Sequence, residues 1–261
     1  MIITTGGRTD QAATARAKVL AGKYRYPFID RNKRSISTLF ENYKTDIATV
    51  GREKLTIIPY SSKTPINFHP SLSMIRAKRI LGGQSDAFTE ACRLTAGMSV
   101  LDCTMGLAAD SIIASLVTGR GGAVTAVEAS PLLYMLTAEG LKTYHSKIPE
   151  VDEAMRSIKT VHADHCDYLR TLPDDSFDIV YFDPMFQETI ETSNAIRKIS
   201  SQTENNSLTH ETISEAKRVS KHRVVLKDHW RSRRFEQLGF EQLRRKTSQV
   251  HYGRIDTLYY F

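Results

Sequence analysis

Four acids in this 261-residue chain close short runs that read as strands: Asp102 after Ser99-Val100-Leu101, Glu128 after Ala123–Val127, Asp164 just beyond Ile158–His162, and Asp183 after Phe177–Phe182. An acid at such a point sits where a strand gives way to a loop, facing the space in which α/β sheets bind ligands. Asp183 is followed by Pro184, Met185 and Phe186. A carboxylate oxygen there can accept a hydrogen bond from an amine. The Pro184 carbonyl can accept a second, having no N–H of its own residue to compete. The Phe186 ring can stack on a flat base. Together they would hold an exocyclic amine with its lone pair aimed at an electrophilic carbon. Asp-Pro also simply stops strands, so the reading draws its weight from the other three acids.

The first of these, in Leu101-Asp-Cys-Thr-Met-Gly106, opens a strand–turn–helix. Gly106 permits a sharp turn and close backbone approach to a ligand, and the N–H groups that start the following helix face the same space. A pyrophosphate fingerprint has three glycines where this stretch has one, and a carboxylate at Asp102 suits a cationic or amine-bearing ligand better. Glu128, 26 residues on, stands where an acid takes ribose hydroxyls. Asp164, at a third strand end, fits an adenine amino group. An amino acid, a ribose and an adenine laid across three strand ends describe S-adenosylmethionine, whose sulfonium needs positioning rather than acid–base activation. A nicotinamide dinucleotide is the rival, and would want more glycine between Met105 and Asp110.

Elements that could hold these residues are legible in order. Residues 108–117 read as the first crossover helix, Pro131 starts a second at a position that costs no hydrogen bond, and Cys166–Leu172 gives a short third. Lys147–Val151 reads as a loop or frayed segment. Pro173–Ser176 is a turn, and Phe177–Phe182, continuous and aromatic-rich, reads as a central parallel strand. The long polar stretch Gln187–Asn206 reads as a mobile substrate loop. Leu208–Val219 is then a helix, Val224–Lys227 a strand, and 240–247 with 254–261 a closing antiparallel pair. Upstream, Met1–Asp10 reads as partly ordered, Gln11–Gly22 as a helix capped by Gly22, Tyr24–Ile29 as a short strand, Ser37–Tyr43 as a helix, and Thr49–Val50 with Lys54–Pro59 as two strands. Two helices, Ser71–Ile80 and Ala87–Leu94, precede the central strand. The expected division is a small basic α/β domain at 1–66 and a larger α/β domain at 67–261.

The net charge of +7 is unevenly spread: residues 1–70 carry 12 Lys/Arg against 5 Asp/Glu, residues 101–216 carry 8 against 18, and residues 217–261 carry 12 against 4. Basic ends around an acidic middle suit a phosphate-rich partner held at the periphery. Arg76, Arg79, Lys227, Arg231, Arg233 and Arg234 are the candidate phosphate or substrate contacts. The three cysteines lack metal spacing and read as free thiols of a reducing compartment. His162, Asp164, His165 and Cys166 straddle a strand end and a helix, a poor zinc arrangement, so no metal is expected. No apolar run of membrane-spanning length and no signal-peptide pattern is present, so a cytoplasmic location is expected.

The motifs Phe68-His-Pro-Ser-Leu-Ser-Met-Ile-Arg-Ala-Lys-Arg79, Leu101–Asp110, Val127-Glu-Ala-Ser-Pro131 and Val180-Tyr-Phe-Asp-Pro-Met-Phe186 resemble those of class I S-adenosylmethionine-dependent methyltransferases. The nearer resemblance is to the small-subunit ribosomal RNA guanine exocyclic-amine (N2) methyltransferases and their Gram-positive relatives. The resemblance implies a Rossmann-like α/β fold with a mixed seven-stranded sheet plus the small N-terminal α/β domain. It implies cofactor binding by Asp102, Thr104, Gly106, Asp110, Glu128, Ala129 and Asp164, and catalysis at Asp183, Pro184 and Phe186. The implied partner is RNA, in ribosomal RNA or a small-subunit particle. The nearer family often has a further proline after the aromatic, where this chain has Gln187. Two other functions are carried beside it: a methyltransferase of a small molecule or protein, and a non-catalytic RNA-binding protein on a methyltransferase fold.

Overall fold

The computed structural model describes residues 1–7, 10–184, 208–246 and 248–257. Phe186, the polar stretch 187–206 and the end of the expected closing strand lie outside the described residues.

The chain divides into two compact units, one built from Met1–His69 and Met135–Tyr144, the other from Pro70–Tyr134 and most of the chain from His145 on. In the first, β1 (Ile2–Thr5) pairs in parallel with β2 (Ile47–Val50), which pairs antiparallel with β3 (Leu55–Ile58), and β3 with β4 (Ile66–Asn67). Helix α1 (Gln11–Tyr24) is capped by Asp10, whose side chain accepts from the Ala13 N–H at 2.7 Å. Helix α2 (Ile36–Tyr43) is capped in the same way by Ser35. Ile2, Leu39, Phe40, Ile47 and Ile58 form its core.

Two expectations change here. Met1–Asp10 holds a wholly buried strand, because Ile2-Ile3-Thr4-Thr5 is a β-branched run that pairs along β2. Tyr24–Ile29 is no strand: α1 runs on past Gly22 and ends at Arg25, whose φ is 57°, leaving an isolated bridge from Phe28 to Ile3.

The second unit opens with α3 (Ser71–Leu81) and α4 (Ala87–Cys92). The chain then alternates: β5 (Ser99–Asp102), α5 (Ala109–Thr118), β6 (Ala123–Glu128), α6 (Pro131–Thr143), α7 (Pro149–Ser157), β7 (Lys159–His162), α8 (His165–Arg170) and β8 (Phe177–Phe182). After the polar stretch come α9 (His210–Val219), β9 (Ser220–His229), α10 (Arg234–Gln237), β10 (Glu241–Leu243) and β11 (Val250–Asp256). The later turns of α6, from Met135, belong to the first unit. The seven strands lie in the order β10-β11-β9-β8-β5-β6-β7, with β5 to β9 parallel and the last two antiparallel.

Leu101, Val127, Val180, Phe182, Val224 and Leu226 of the parallel strands pack with Ile213, Ala216 and Val219 of α9. This continuous burial is what parallel strands covered on both faces require. The expected loop at 147–151 instead leads into α7, started by Pro149 with Glu150 and Asp152 in its first turn and buried through Val151, Ala154 and Met155. The closing strand β11 starts at Val250, four residues before the expected 254. Its Gly253 lies against the Phe235 ring and the Phe240 Cβ, leaving no space for a Cβ of its own.

Candidate cofactor and acceptor site

The strand order reverses between β5 and β8. From β5 the chain builds outward through β6 and β7, then returns to lay β8 on the other side of β5. That reversal opens a crevice at the carboxyl ends of the strands. Read across the sheet, the acids follow the strand order: Asp183 past β8, Asp102 at the end of β5, Glu128 at the end of β6, Asp164 just past β7.

Asp102 is buried. Its Oδ1 accepts from the Thr104 N–H at 3.0 Å, and its Oδ2 from the Ser111 hydroxyl. Burial pushes its carboxyl up to about 7, against the pull of the Ser111 and Thr104 hydrogen bonds. The loop beyond turns through Gly106 at φ 52° and Ala108 at φ 60°. Among the described residues no side chain caps the α5 N-terminus.

Glu128, also buried, binds that loop. Its Oε2 accepts from the Gly106 N–H at 2.9 Å and its Oε1 from the Ser130 N–H at 2.8 Å. Burial raises its pKa, and the N–H groups of Ser130, Gly106 and Ala129 oppose the rise. The Ala129 carbonyl lies 3.3 Å from His162 Nε2. Asp164 is the N-cap of α8, accepting from the Cys166 and Asp167 N–H groups.

Across the crevice, the Asp183 N–H donates to Thr104 Oγ1 at 2.6 Å. Asp183 Oδ2 takes the Lys227 ammonium at 2.6 Å, and the same ammonium lies 3.0 Å from Asp110 Oδ2. Tyr181 donates its hydroxyl to Asp110 at 2.8 Å, and Arg76 bonds Asp110 with one nitrogen while two others take Asp86 at 2.8 Å each. Asp110 is held well below the usual carboxylate range: burial works against ionisation, and Lys227 and Arg76 outweigh it. Burial pushes Asp183 up, with Lys227 pulling down and Asp110 adding to the rise.

The expected residues therefore divide. Asp102, Thr104, Asp110, Asp183, Lys227 and Arg76 share one bonded network, and Glu128 with Gly106 forms a second contact beside it. The Arg76 guanidinium, expected at a phosphate, sits half-buried between Asp86 and Asp110, and Lys227 is likewise placed between two carboxylates. Arg234 bonds the buried Asp228 at 3.1 Å. Arg79, Arg231 and Arg233 are exposed, Arg79 bonding Gln84 and Arg231 lying over the Trp230 ring at 4.5 Å. Pro184 is half-buried. Sequence reasoning missed Asp86, Tyr181 and Tyr252 as members of the site; burial raises the Tyr252 phenol, and the charges of Asp110, Lys227, Arg76 and Asp183 act on it. Asp86 reads from sequence only as the cap of the following helix, and the two tyrosines are marked only by their burial, which is a property of the fold.

A family model described as "Putative SAM-dependent methyltransferase" matches residues 38–247. The chain belongs to this family. As a SAM-dependent methyltransferase it is an enzyme whose cofactor is S-adenosylmethionine. It is 40% identical over 256 residues to the uncharacterised protein YpiP of Bacillus subtilis (strain 168), covering 98% of this chain and 99% of that one. It is 31% identical over 117 residues to ribosomal RNA small subunit methyltransferase J of Acinetobacter baumannii (strain SDF), covering 44% of this chain and 40% of that one. Its fold is similar to that of the SAM-dependent methyltransferase NGO1261 from Neisseria gonorrhoeae, with a TM-score of 0.64 at 17% identity over 98% of this chain and 95% of that one.

The site's own chemistry fits the cofactor. The Gly106 and Ser130 N–H groups each take one lone pair of a Glu128 oxygen, and a carboxylate has further lone pairs with which to accept a hydroxyl. Asp102 offers a buried carboxyl to a cation, and the loop between them bends through two left-handed residues. Among the described residues no group of His, Cys, Asp and Glu could hold a metal ion, and no helix is long and apolar enough to cross a membrane.

Proposed function

We propose that this methyltransferase acts on an exocyclic amine of RNA, with guanine N2 of ribosomal RNA as the acceptor. One observation carries the reading: Asp183-Pro184 stands at the reversal point of the sheet, with its main chain fixed to the cofactor loop through Thr104. Glu128 and Ala129 hold the ribose side of the cofactor, Asp164 the adenine, and Asp102, Thr104, Gly106 and Asp110 the amino-acid side. S-adenosylmethionine supplies a methyl carbon on a sulfonium. The chain supplies position. Asp183 accepts one N–H of the amine and the Pro184 carbonyl the other, which turns the nitrogen lone pair out of the base plane, while Phe186 stacks on the base.

RNA as the partner draws on the basic segments, on Arg79, Arg231 and Arg233 at the surface, and on the partial similarity to a ribosomal RNA methyltransferase. The turn after β9 adds an exposed indole, Trp230, under the Arg231 guanidinium. In this reading residues 1–66 form a basic RNA-holding domain, 67–261 carry catalysis, and the protein works in the cytoplasm.

The test is transfer of labelled methyl from S-adenosylmethionine to ribosomal RNA and small-subunit particles from a strain lacking the protein, followed by nucleoside analysis. Label in N2-methylguanosine is the expected result. Label in another nucleoside, or none in RNA under conditions where the protein binds the cofactor, overturns the acceptor. Asp183→Ala should abolish the transfer and leave S-adenosylhomocysteine affinity within about 1 kcal/mol, because the contact serves the transition state.

A further inference from the structure

We propose that Lys227 is a positioning residue for methyl transfer: its ammonium clamps one oxygen of Asp183 and leaves the other for the acceptor amine. The proposal rests on Asp183 being the amine-accepting residue.

The placement follows from the sheet. β8 and β9 run parallel with Phe182 opposite Leu226, so the next residues, Asp183 and Lys227, emerge side by side at the carboxyl edge. Lys227 bonds Asp183 Oδ2 at 2.6 Å, and among the described residues no other group bonds that carboxylate. The ammonium is itself fixed at Asp110, 3.0 Å away. Asp110 is fixed in turn by the Tyr181 hydroxyl and by Arg76, and Arg76 by both oxygens of Asp86. The result is a line of alternating charge, Asp86–Arg76–Asp110–Lys227–Asp183, rooted in helices α3, α4 and α5 and ending at the crevice.

An ion pair partly withdrawn from water is a poor source of stability, since the cost of desolvating the two charges offsets much of their attraction. Here it has a chemical use. An acceptor amine needs a hydrogen-bond acceptor, and a protonated carboxyl offers a donor in the wrong place. Asp183 faces Asp110 from α5, Asp102 from β5, Asp228 beyond it on β9, and the phenols of Tyr181 on β8 and Tyr252 on β11. Burial and these acids favour its protonation. Among the described residues Lys227 is the cation in direct contact that acts against them, and it also holds the side-chain rotamer.

The test compares full-length wild type, Lys227→Met and Lys227→Arg. The Asp183 carboxyl is titrated by carbon-13 NMR on aspartate-labelled protein, assigned through Asp183→Asn. Single-turnover transfer to the ribosomal RNA preparation is measured across pH, and S-adenosylhomocysteine affinity by calorimetry. In Lys227→Met the Asp183 midpoint should rise by about one pH unit or more, as for loss of an adjacent opposite charge. The acid limb of the transfer rate should rise with it, and Lys227→Arg should restore both. Cofactor-product affinity should stay within about threefold, or roughly 0.6 kcal/mol.

An unmoved Asp183 midpoint, or a rate loss equal at every pH, overturns the role. If Lys227→Met does not fold, Lys227→Gln, which keeps a polar head and removes the charge, should give the same rise of the Asp183 midpoint, and an unmoved midpoint there counts against the clamp. The titration needs no acceptor, so a wrong acceptor shows as wild-type protein that titrates as expected and transfers nothing to RNA.

Discussion

The Thr104 hydroxyl accepts the main-chain N–H of Asp183 at 2.6 Å, while the Thr104 N–H donates to Asp102 at 3.0 Å. One residue thus ties the end of β5 to the end of β8 across the reversal point. Thr104→Val keeps the shape and removes the hydroxyl, so the Asp183 N–H is left without its acceptor. Removing a hydrogen bond of this kind costs about 1–2 kcal/mol of stability. Expressed in the transition state, that energy corresponds to a transfer rate about tenfold slower. Thr104→Ser should retain both. Urea unfolding and single-turnover rates check this; a Val variant with wild-type rate would mean the tie does not set the acceptor geometry.

Glu128 joins two backbone segments as well as facing the crevice. Glu128→Ala should weaken S-adenosylhomocysteine binding by about 1.5–3 kcal/mol, the range for a charged hydrogen-bond acceptor. Glu128→Gln offers one carbonyl oxygen for the two that now accept, and should weaken it less. Calorimetry on folded variants measures both, and equal affinity in the Ala variant would remove Glu128 from the cofactor site.

Asp102 gives a pH dependence with a definite sign. Its carboxyl is raised by burial to about 7 from an ordinary value of 3.8. Between these values the unfolded chain has released this proton and the folded chain keeps it. The contribution to stability is complete below pH ~4 and is lost as pH rises through ~7, with about 4 kcal/mol as its upper limit. Asp102→Asn mimics the protonated acid and cannot titrate. The melting temperature of the variant relative to wild type should climb from pH 5 to pH 8; a constant difference would show that Asp102 is ionised throughout.

Trp230 is the sole tryptophan, so its fluorescence reports directly on the turn after β9. Single-stranded RNA stacking on it should quench that signal. Trp230→Ala should weaken RNA binding by about 1–3 kcal/mol with little change in salt dependence. Replacing Arg231 and Arg233 with alanine should instead flatten the salt dependence, by roughly one unit of log–log slope for each phosphate that is no longer neutralised. Binding titrations from about 50 to 200 mM salt separate the two effects. No quenching with RNA that binds would place the stacking surface elsewhere.

The centre of the sheet is legible because β5, β6 and β8 are mainly apolar runs closed by Asp102, Glu128 and Asp183, and these acids mark its carboxyl edge. Helix α7 carries a sequence signal that a loop assignment overlooks: Pro149, two early acids and apolar residues at 151, 154 and 155. Ile2–Thr5 is β-branched throughout and reads as a strand only once β2 is there to pair with it. The charge line is not legible. Lys227 lies 44 residues from Asp183 and 117 from Asp110, and no local period connects such distances. A lysine at a strand end has the same sequence signature whether it meets a phosphate or two carboxylates, which is why Arg76 and Lys227 are expected at the nucleic acid from sequence alone.

The alternation of Asp86, Arg76, Asp110, Lys227 and Asp183 also constrains how these positions can vary. Deleting one inner member leaves two like charges facing each other in a poorly hydrated place, a destabilisation of several kcal/mol. Deleting two neighbours together removes a charge and its counter-charge, and the remaining line still alternates. Drift here is therefore bound by parity: Asp86 and Arg76 can leave as a pair at modest cost, whereas either alone strands the other, and the last pair is held by the chemistry at the crevice.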